Sequence, residues 1–382
     1  MIREVSELEG DDALDAAADQ PDDVAVLFYT SGTTGKPKGA ELTHRALVGR
    51  VGPEVLYPSS LRRDEAVSGL PVAHVAGFSM LLHLAAFGVP IYLLRKFRPD
   101  TALDAIESRR ATVFVGVPAM YRMMLEAGAE ARDLSSVRLW ASGADAIPFD
   151  VARRFQRLGG AVTLPFVGRT LGEATFVDGY GMVELGGGAA LKLLPPGVSR
   201  AVRGLMGLPL PGYRMRVVDD AGTEVPRGEV GELIVKGPGV MRGYHGQGDA
   251  TAEALTPDGW LRTGDLARRG RLGLVEFAGR AKDVIKHGGY SVFAAEVEAA
   301  LEAHDDVLEA AVVGLPDERK GEVPAAAVRV APGRSLNEAD LVAWAEARLA
   351  DYKVPRRIAV VDELPRTGTD KVRKADVKAL FE

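Results

Sequence analysis

The sequence predicts an α/β fold: a large N-terminal domain of layered mixed and parallel sheets with helices, which includes an antiparallel segment, and a small C-terminal α+β domain. Short apolar runs alternate with helix-like stretches over the first half of the chain, as in sheets covered by helices. Between Gly212 and Tyr244, two apolar runs flank an Asp-Ala-Gly turn, which indicates antiparallel strands. We place the domains at residues 1–281 and 282–382, because the last part of the chain has an apolar pattern of its own.

The individual elements follow from these patterns. The acidic, Ala-rich first 23 residues are expected to form a surface linker. Expected strands are Val24–Tyr29, Thr112–Val117, Val162–Val167, Leu308–Val313, Ala325–Val330 and Ile358–Val361, and expected helices are Pro99–Ser108, Pro118–Ala127 and Ala295–Ala303. A last helix is predicted from a capping box, Ser335 and Glu338, ahead of one apolar face formed by Leu341, Trp344, Ala345 and Leu349.

The composition limits the function classes. Of 382 residues, 47% are hydrophobic and 26% charged, which is typical of a soluble globular protein with a large core. A net charge of −6 gives no reason to expect a nucleic-acid partner. The chain has no cysteine, so disulfides, thiolate metal sites and a cysteine nucleophile are excluded. Together with an N-terminus unlike a signal peptide, this fits a cytoplasmic location.

One segment is long and apolar enough to require a membrane check. Residues Ala66–Leu94 contain no Asp, Glu, Lys or Arg. Glycines and prolines divide the segment into pieces of strand or short-helix length, so we expect a core strand, a loop, a helix and a second strand instead of a membrane span.

The stretch "LFYTSGTTGKPKGAELTH", Leu27–His44, has the composition of a phosphate-binding loop. Glycines let backbone N–H groups converge on an anion, hydroxyls donate further hydrogen bonds, and a lysine neutralises charge. We expect a strand, this loop and then a helix. The spacing differs from a Walker A loop, since Gly32 and Gly35 are three apart and Pro37 follows Lys36. Read alone, the segment also fits a flexible surface loop.

Five segments, in order, resemble the motifs of the adenylate-forming superfamily, which includes acyl-CoA synthetases, luciferases and peptide-synthetase adenylation domains. They are "YTSGTTGKPKG" (Tyr29–Gly39), "DGYGMVE" (Asp178–Glu184), "GWLRTGDLA" (Gly259–Ala267), "GRAKDVIKHGGYSVFAAEVE" (Gly279–Glu298) and "LPRTGTDKVRK" (Leu364–Lys374). The resemblance implies a two-step reaction: a carboxylate attacks the α-phosphate of ATP to give an acyl-adenylate, and a thiol, usually that of coenzyme A, then displaces AMP.

The resemblance also implies roles for individual residues. The residues expected to bind the phosphates are Thr30, Ser31, Gly32, Thr33, Thr34, Gly35 and Lys38. The catalytic candidates are Thr34, Lys38, Glu184 and Lys371. Glu184 matches the Mg²⁺ ligand. The residues expected to bind the base and the ribose are Gly143, Ala144, Asp178, Gly179, Tyr180, Asp265 and Arg280. Among them, Tyr180 would stack on adenine and Asp178 would accept a hydrogen bond from the adenine amino group. Asp265 would accept hydrogen bonds from the ribose hydroxyls. Lys371 bridges the attacking carboxylate and the α-phosphate.

The remaining roles concern the small domain and the acid. Lys282 corresponds to a hinge about which the small domain turns, and Lys286, Gly288 and Gly289 to a channel for the pantetheine arm of coenzyme A. His74, Gly77, Phe78 and Gly181 are expected at the acyl pocket. Without the resemblance, each of these residues has an ordinary structural interpretation. Lys371 and Glu184 would be solvated charged residues, Tyr180 would be a core residue, and Gly288-Gly289 would form a simple turn. His74 fits a buried structural histidine equally well.

Three departures from the family pattern bear on function. Members usually have a longer segment before the phosphate loop, whereas 23 residues precede Val24 here, so we expect an N-terminally truncated large domain. The chain is then a fragment, or another chain supplies that layer, or the fold forms without it. Apolar faces that such a layer covers would then be exposed. Val183 replaces a threonine that contacts the α-phosphate, and Asp370 replaces the glycine before Lys371.

The leading hypothesis is an ATP-dependent acid–CoA ligase for a fatty or other apolar carboxylic acid, with ATP, Mg²⁺ and coenzyme A as cofactors or co-substrates. The Gly- and Ala-rich run after Glu184, "LGGGAALKLL", is expected to leave room for an acyl chain. One alternative is an adenylation-impaired enzyme that only converts preformed acyl-adenylate to thioester. Another is a non-catalytic nucleotide-binding subunit or fragment. The choice between a homodimer and a partner chain stays open.

Overall fold

The computed structural model describes residues 20–30, 37–49, 63–145, 147–163, 170–197, 204–270, 273–331, 333–366 and 372–382. The strands are β1 Val24–Thr30, β2 Lys38–Thr43, β3 Ala66–Ser68, β4 Ile91–Leu93, β5 Val113–Gly116, β6 Leu139–Gly143, β7 Val162–Thr163, β8 Thr170–Leu171, β9 Thr175–Met182, β10 Gly187–Leu194, β11 Leu205–Pro209, β12 Arg214–Val218, β13 Val230–Lys236, β14 Gly243–Tyr244, β15 Leu261–Arg269, β16 Val275–Arg280, β17 Val284–His287, β18 Tyr290–Phe293, β19 Val307–Asp317, β20 Gly321–Val330 and β21 Arg357–Val361. The helices are α1 His44–Val48, α2 Val75–Ala86, α3 Pro99–Arg109, α4 Pro118–Glu126, α5 Phe149–Leu158, α6 Gly248–Ala254, α7 Ala294–Leu301, α8 Glu338–Glu346 and α9 Lys374–Ala379.

A mixed sheet of 11 strands, counted within the described residues, forms the centre of the large domain. The strands β4, β3, β5, β6 and β9 run parallel, and from β9 the sheet continues antiparallel through β10, β11, β16, β15, β13 and β12. The segment predicted to be antiparallel is confirmed, since β12 pairs antiparallel with β13. The expected mixed α/β class is therefore correct.

The parallel half of the sheet buries an aromatic core beneath its helices. Trp140 of β6, Tyr121 of α4 and Phe155 of α5 are each fully buried. The ring centroid of Phe155 lies 4.9 Å from those of both Tyr121 and Trp140, with edge-on geometry. This packing anchors α4 and α5 and so holds the carboxyl ends of β6 and β9 in place.

The apolar segment Ala66–Leu94 folds as expected, into β3, a loop, α2 and β4. His74 caps α2, because its Nδ1 accepts a hydrogen bond from the backbone N–H of Ala76 at 3.2 Å. Within the described part of the chain, no helix is long and apolar enough to cross a membrane.

The expected order of strand, loop and helix around Leu27–His44 is wrong in one respect. The chain returns from the loop into β2, which pairs antiparallel with β1, and only then begins α1. The segment after Pro37 is extended because it pairs with Val24–Thr30, so the loop joins two strands of a hairpin and does not begin a helix. Of the predicted linker, residues 20–23 are described, and Asp22 Oδ1 contacts Arg45 Nε of α1 at 2.8 Å.

The small domain contains a sheet with the strand order β18-β17-β20-β19, in which β21 pairs parallel with β20. The last helix is present, but its predicted capping box is wrong. Asn337 caps α8, with its side chain accepting from the backbone N–H of Ala339 at 3.0 Å. The predicted apolar face is confirmed, since Leu341 and Ala345 are fully buried and Trp344 and Leu349 pack against the same core. Asn337 precedes the helix directly, which gives it the capping geometry.

Ion pairs connect the small domain to the large one. Glu309 of β19 accepts from Arg122 Nη2 of α4 at 3.2 Å and from Arg366 Nη2 at 2.6 Å. At the edge of the same contact, Arg329 Nη2 of β20 lies 3.2 Å from Glu126 Oε1. Carboxylates and guanidinium groups from both domains thus alternate across this contact.

One face of the central sheet is apolar and open to solvent. Leu193 of β10 is 62% exposed and Leu208 of β11 is 63% exposed, with Leu191 beside them. On β10 the opposite face is buried at Leu194. Strand alternation therefore places leucines outward here, where a solvated strand normally carries polar residues.

Candidate active site

Three predicted nucleotide-binding residues from three strands meet in one hydrogen-bonded group. Tyr180 of β9 donates its hydroxyl hydrogen to Asp265 Oδ2 of β15 at 2.8 Å, and Arg280 Nε of β16 lies 3.2 Å from Asp265 Oδ1. Asp265 is only 4% exposed, and its backbone N–H donates to Thr263 Oγ1. Burial and the neighbouring Asp265 raise the pKa of Tyr180, so its phenol remains protonated and donates. Asp265 and Arg280 are opposite each other in the register of β15 and β16.

A second group surrounds the predicted magnesium ligand. Glu184 follows β9 in a short turn, and its side chain is buried. Tyr244 of β14 donates its hydroxyl hydrogen to Glu184 Oε1 at 2.9 Å, and Lys38 Nζ lies 5.0 Å from the centre of the Tyr244 ring. Burial and Glu184 raise the pKa of Tyr244. The cation of Lys38 and the carboxylate of Glu184 thus contact one tyrosine near the end of the β1–β2 hairpin where the loop connects the strands.

The predicted base-binding carboxylate lies in a buried polar row. Asp178 of β9 faces Lys192 of β10, and Lys192 Nζ is 2.9 Å from Asp178 Oδ2. On its other side Asp178 faces Ser142 of β6. Asp178 Oδ1 and Ser142 Oγ are buried and have no hydrogen-bond partner within the described residues.

Small residues shape the ends of the strands beside this row. Gly143 and Gly179 face each other, and a side chain at Gly143 would begin 3.4 Å from the Gly179 carbonyl oxygen. Ala144 has a φ of +68°, which is rare for a residue with a side chain and turns the chain sharply after β6. Gly181 packs so closely on Gly187 that a Cβ would lie 2.0 Å from its carbonyl oxygen. This contact accounts structurally for glycine at position 181.

The residues expected at the acyl pocket lie around α2. His74 caps the helix, as described above. Gly77 is buried against Pro71, where a Cβ would lie 2.3 Å from the carbonyl oxygen. The Phe78 ring packs on Phe28 of β1 with centroids 5.6 Å apart. The first turn of α2 therefore lies next to the first strand of the predicted phosphate-loop hairpin.

The residues of the predicted hinge and channel are exposed. Lys282 lies in a short turn between β16 and β17. Gly288 and Gly289, with φ of +57° and +86°, form the two-residue turn of the β17–β18 hairpin. Both positions require a positive φ, which explains the glycines without reference to a ligand. Lys286 Nζ donates to Ser291 Oγ at 3.0 Å across that hairpin.

Several predicted site residues fall outside the described residues, namely Ser31, Gly32, Thr33, Thr34, Gly35 and Lys371, as does Asp370. Thr30 and Lys38, which flank the loop, face each other at the end of the β1–β2 pair where the loop connects the two strands. Of the two residues, Lys38 belongs to the group that also contains Tyr244 and Glu184.

Sequence reasoning missed Tyr244 and Lys192. Nothing in the sequence around Tyr244 indicates that its hydroxyl reaches Glu184, which is 60 positions away. For Lys192 a signal exists, because a lysine inside the apolar strand "GAALKLL" interrupts a run that otherwise predicts burial.

A family comparison adds the decisive observation. The sequence profile described as "AMP-binding enzyme" matches residues 2–245, and the profile "AMP-binding enzyme C-terminal domain" matches residues 296–371. The chain belongs to the AMP-binding enzyme family. The expected membership of the adenylate-forming superfamily is therefore confirmed.

Two curated relatives are similar in sequence to this AMP-binding family member over most of its length. The chain is 39% identical over 378 residues to the feruloyl-CoA synthase of Amycolatopsis sp, covering 96% of this chain and 73% of that protein. It is 36% identical over 362 residues to the indoleacetate–CoA ligase of Aromatoleum aromaticum, covering 94% of this chain and 68% of that protein.

Solved structures of the family have the same fold. The amide bond synthetase of Marinactinospora thermotolerans superposes with a TM-score of 0.81 at 32% identity, over 94% of this chain and 69% of that one. The o-succinylbenzoate coenzyme A synthetase of Bacillus subtilis, in complex with ATP and magnesium ion, gives 0.78 at 30% identity, over 94% of this chain and 71% of that one.

Proposed function

We propose that this AMP-binding enzyme is an ATP-dependent, AMP-forming ligase that activates a carboxylic acid as acyl-adenylate and transfers the acyl group to coenzyme A. Family membership and relatives named as CoA ligases support the reaction class. The single observation that carries the proposal is the group of Tyr180, Asp265 and Arg280, which offers a buried carboxylate paired with an exposed cation, close to an aromatic ring. A nucleoside ribose and its phosphate require acceptors and a cation of this kind.

In the proposed reaction, Asp265 accepts hydrogen bonds from the ribose hydroxyls while Arg280 contacts ribose or phosphate. Tyr180 remains hydrogen-bonded to Asp265 and holds that carboxylate in place. Its ring stacks on adenine, and Asp178 accepts from the adenine amino group, assisted by the base-flanking residues Gly143, Ala144 and Gly179. Because these groups are positioned by strands, binding requires little reorganisation.

At the phosphates, Lys38 supplies a cation, and Thr30 and the loop Ser31–Gly35 supply further donors, with Thr34 at the reacting phosphate. Glu184 has the chemistry for a Mg²⁺ ligand, since it is a buried carboxylate oriented by Tyr244. No group of three or more Asp, Glu or His among the described residues could hold a metal alone. Glu184 would therefore share Mg²⁺ with the nucleotide phosphates and water, which is usual for this ion. Bound there, Mg²⁺ neutralises phosphate charge that repels the incoming carboxylate.

For the second step we propose that the small domain, residues 282–382, turns about Lys282. One pose brings Lys371 to the α-phosphate and the attacking carboxylate. The other brings Lys286, Gly288 and Gly289 to the pantetheine arm of coenzyme A. The exposure of Lys282, Gly288 and Gly289 supports a role in which these residues change their surroundings.

We propose an apolar acid as the substrate, bound near His74, Gly77, Phe78 and Gly181. The apolar contact of Phe78 with Phe28, next to the phosphate-loop hairpin, supports this choice. The relatives named for ferulate and indoleacetate make aromatic acids the first compounds to test, followed by fatty acids.

The test separates the two half-reactions. We expect Lys371→Ala to slow pyrophosphate formation from acid and ATP by roughly 10²- to 10³-fold, the effect of one preorganised charge. It should leave the conversion of synthetic acyl-AMP and coenzyme A almost unchanged. Lys378→Ala, on the exposed side of α9, is the matched control and should affect neither step. An equal loss in both half-reactions would contradict the role of Lys371.

One observation favours a second candidate, an enzyme impaired in adenylation that only converts acyl-adenylate to thioester. Val183 replaces a phosphate-contacting threonine, and its side chain is buried in an apolar cluster with Leu185. If this candidate is correct, the wild-type protein turns over acyl-AMP with coenzyme A but not acid with ATP. Val183→Thr should then raise adenylation by about 10-fold, as expected for one restored hydrogen bond.

A further inference from the structure

The polar row of Ser142, Asp178 and Lys192 continues a row of the hydrophobic core. Trp140, Phe176 and Leu194 face one another on β6, β9 and β10 and are buried beneath the helices. The next row on the same face, two residues away on each strand, consists of Ser142, Asp178 and Lys192. The first row packs on apolar side chains, whereas the second consists of a hydroxyl, a carboxylate and an ammonium group.

The side chains of β10 are inverted relative to an ordinary half-buried strand. Lys192 points to the buried face, and its side chain is 13% exposed, while its neighbours Leu191 and Leu193 point to the exposed face. A lysine is almost never buried unless it is paired. Its partner Asp178 is equally buried, so the pair is largely desolvated and is a poor source of stability. A requirement other than folding explains this arrangement best.

The pair leaves one acceptor unused. Asp178 Oδ2 accepts from Lys192, but Asp178 Oδ1 has no hydrogen-bond partner among the described residues, and neither does Ser142 Oγ. A buried polar atom without a partner is unfavourable, which indicates that a ligand supplies the missing donor. Tyr180 lies two residues further along β9 on the same face, where it meets Asp265, so a nucleoside with its ribose at Asp265 would have its base beside Asp178.

We propose that Lys192 determines which purine the site accepts, by holding Asp178 as a carboxylate whose Oδ1 accepts only from a donor such as a 6-amino group. This inference rests on the proposed function, in which Asp178 faces the base. A 6-amino purine presents a donor at that position. A 6-oxo purine presents an acceptor, which the carboxylate repels.

The charges around Asp178 explain why Lys192 is needed. Burial raises the pKa of Asp178, Lys192 opposes that rise, and Asp145 adds to it. Tyr121 also faces the carboxylate, but its hydroxyl donates to the carbonyl oxygen of Ala141 at 2.7 Å. Without the ammonium group, Asp178 binds a proton more readily. A protonated carboxyl can donate to a 6-oxo group, so discrimination between the two purines falls.

The experiment compares ATP with ITP, its 6-oxo counterpart, by calorimetric binding and by adenylation. Wild-type protein should prefer ATP. Lys192→Met, which keeps the length and removes the charge, should reduce the ATP-to-ITP preference roughly 10- to 100-fold, the range for one hydrogen bond to a charged group. That preference should recover as the pH rises and Asp178 ionises. Lys192→Arg should keep it, and Lys236→Met, at a half-buried lysine of β13 elsewhere on the sheet, should not change it.

A second variant keeps the test decisive if Lys192→Met unfolds. Lys192→Met combined with Asp178→Asn leaves no unpaired charge in the buried row. The side-chain amide introduced at position 178 can donate a hydrogen bond to a 6-oxo group or accept one from a 6-amino group. It should bind ITP about as well as ATP, at every pH. If either folded variant retains the wild-type ATP-to-ITP ratio, Lys192 has no such role. If the wild-type protein binds neither nucleotide, the proposed function itself fails, which is a distinguishable result.

Discussion

Two buried ion-pair groups of this protein differ in how completely they are satisfied. In the nucleotide region, Lys192 uses one oxygen of Asp178 and leaves the other without a partner among the described residues. In the contact between the domains, Glu309 uses both oxygens, one for Arg122 and one for Arg366. The difference teaches that burial alone does not identify a binding site. At Asp178 the further sign of a binding site is the unused acceptor next to a fixed charge, whereas both oxygens of Glu309 are occupied by the contact between the domains.

The largest expected effect comes from Glu309. Glu309→Gln removes the carboxylate that Arg122 and Arg366 share, so we expect a loss of about 3–5 kcal/mol in the free energy of unfolding. Urea denaturation measures this loss. Replacing all three side chains, with Arg122→Met, Glu309→Leu and Arg366→Met, should restore most of the stability. A loss below about 1 kcal/mol for Glu309→Gln would remove the distinction between the two groups.

The next effect depends on pH and concerns Glu302, close to the same contact. Burial raises the pKa of Glu302 from 4.5 to about 7, and the nearby carboxylates of Glu298 and Glu309 add to the shift. Because the folded-state pKa is the higher one, this group's contribution to stability falls as the pH rises from about 4.5 to about 7. Glu302→Gln keeps the side-chain acceptor for the Ala310 N–H. It should stabilise the protein at pH 8 by roughly 1–2 kcal/mol. The gain is limited to this size because Glu302 is still partly exposed. Thermal denaturation at pH 4.5 and pH 8 tests this, with no difference expected at the lower pH.

Substitution at Asp178 is expected to change the free energy of unfolding less than Glu309→Gln does, and in the opposite direction. Burial raises the pKa of Asp178, so the charged form is disfavoured in the fold, and stability falls as the pH rises above the unfolded value of 3.8. Asp178→Asn combined with Lys192→Met, which leaves no unpaired charge in the buried row, should therefore keep or slightly increase the free energy of unfolding at pH 7, while ATP affinity decreases. Denaturation and calorimetry on the same preparation measure both quantities. A clear loss of stability would mean that the Asp178 pair is structural, like that of Glu309.

The smallest effect is expected at the rim of the domain contact. Arg329 and Glu126 form a pair at 3.2 Å whose side chains are 23% and 40% exposed. Solvent screening limits such a pair to about 0–1 kcal/mol. Arg329→Gln should therefore shift the urea midpoint little compared with Glu309→Gln. A shift of similar size would show that the whole rim, and not Glu309 alone, carries the contact.

Much of the fold could be predicted from local patterns. The helices α3 and α4 begin at Pro99 and Pro118, because proline favours the first turn of a helix, and the predictions placed both starts correctly. The segment Ala66–Leu94 divided as its glycines and prolines indicated. One prediction failed where long-range pairing decides, since residues 38–43 form β2 because they pair with β1. The other failed for a local reason, since Asn337 and not Ser335 directly precedes α8 and caps it.

For the candidate site, the sequence by itself determined the family motifs, their order and hence the types of chemical group that are present. Tertiary structure alone decided which groups meet. Tyr180 reaches Asp265 across 85 positions and Tyr244 reaches Glu184 across 60, and Lys192 faces Asp178 because β9 and β10 pair in that register. The physical reason is that strand pairing depends on hydrogen bonds and packing summed over the whole sheet, so a residue's partner is not encoded in its neighbours along the chain.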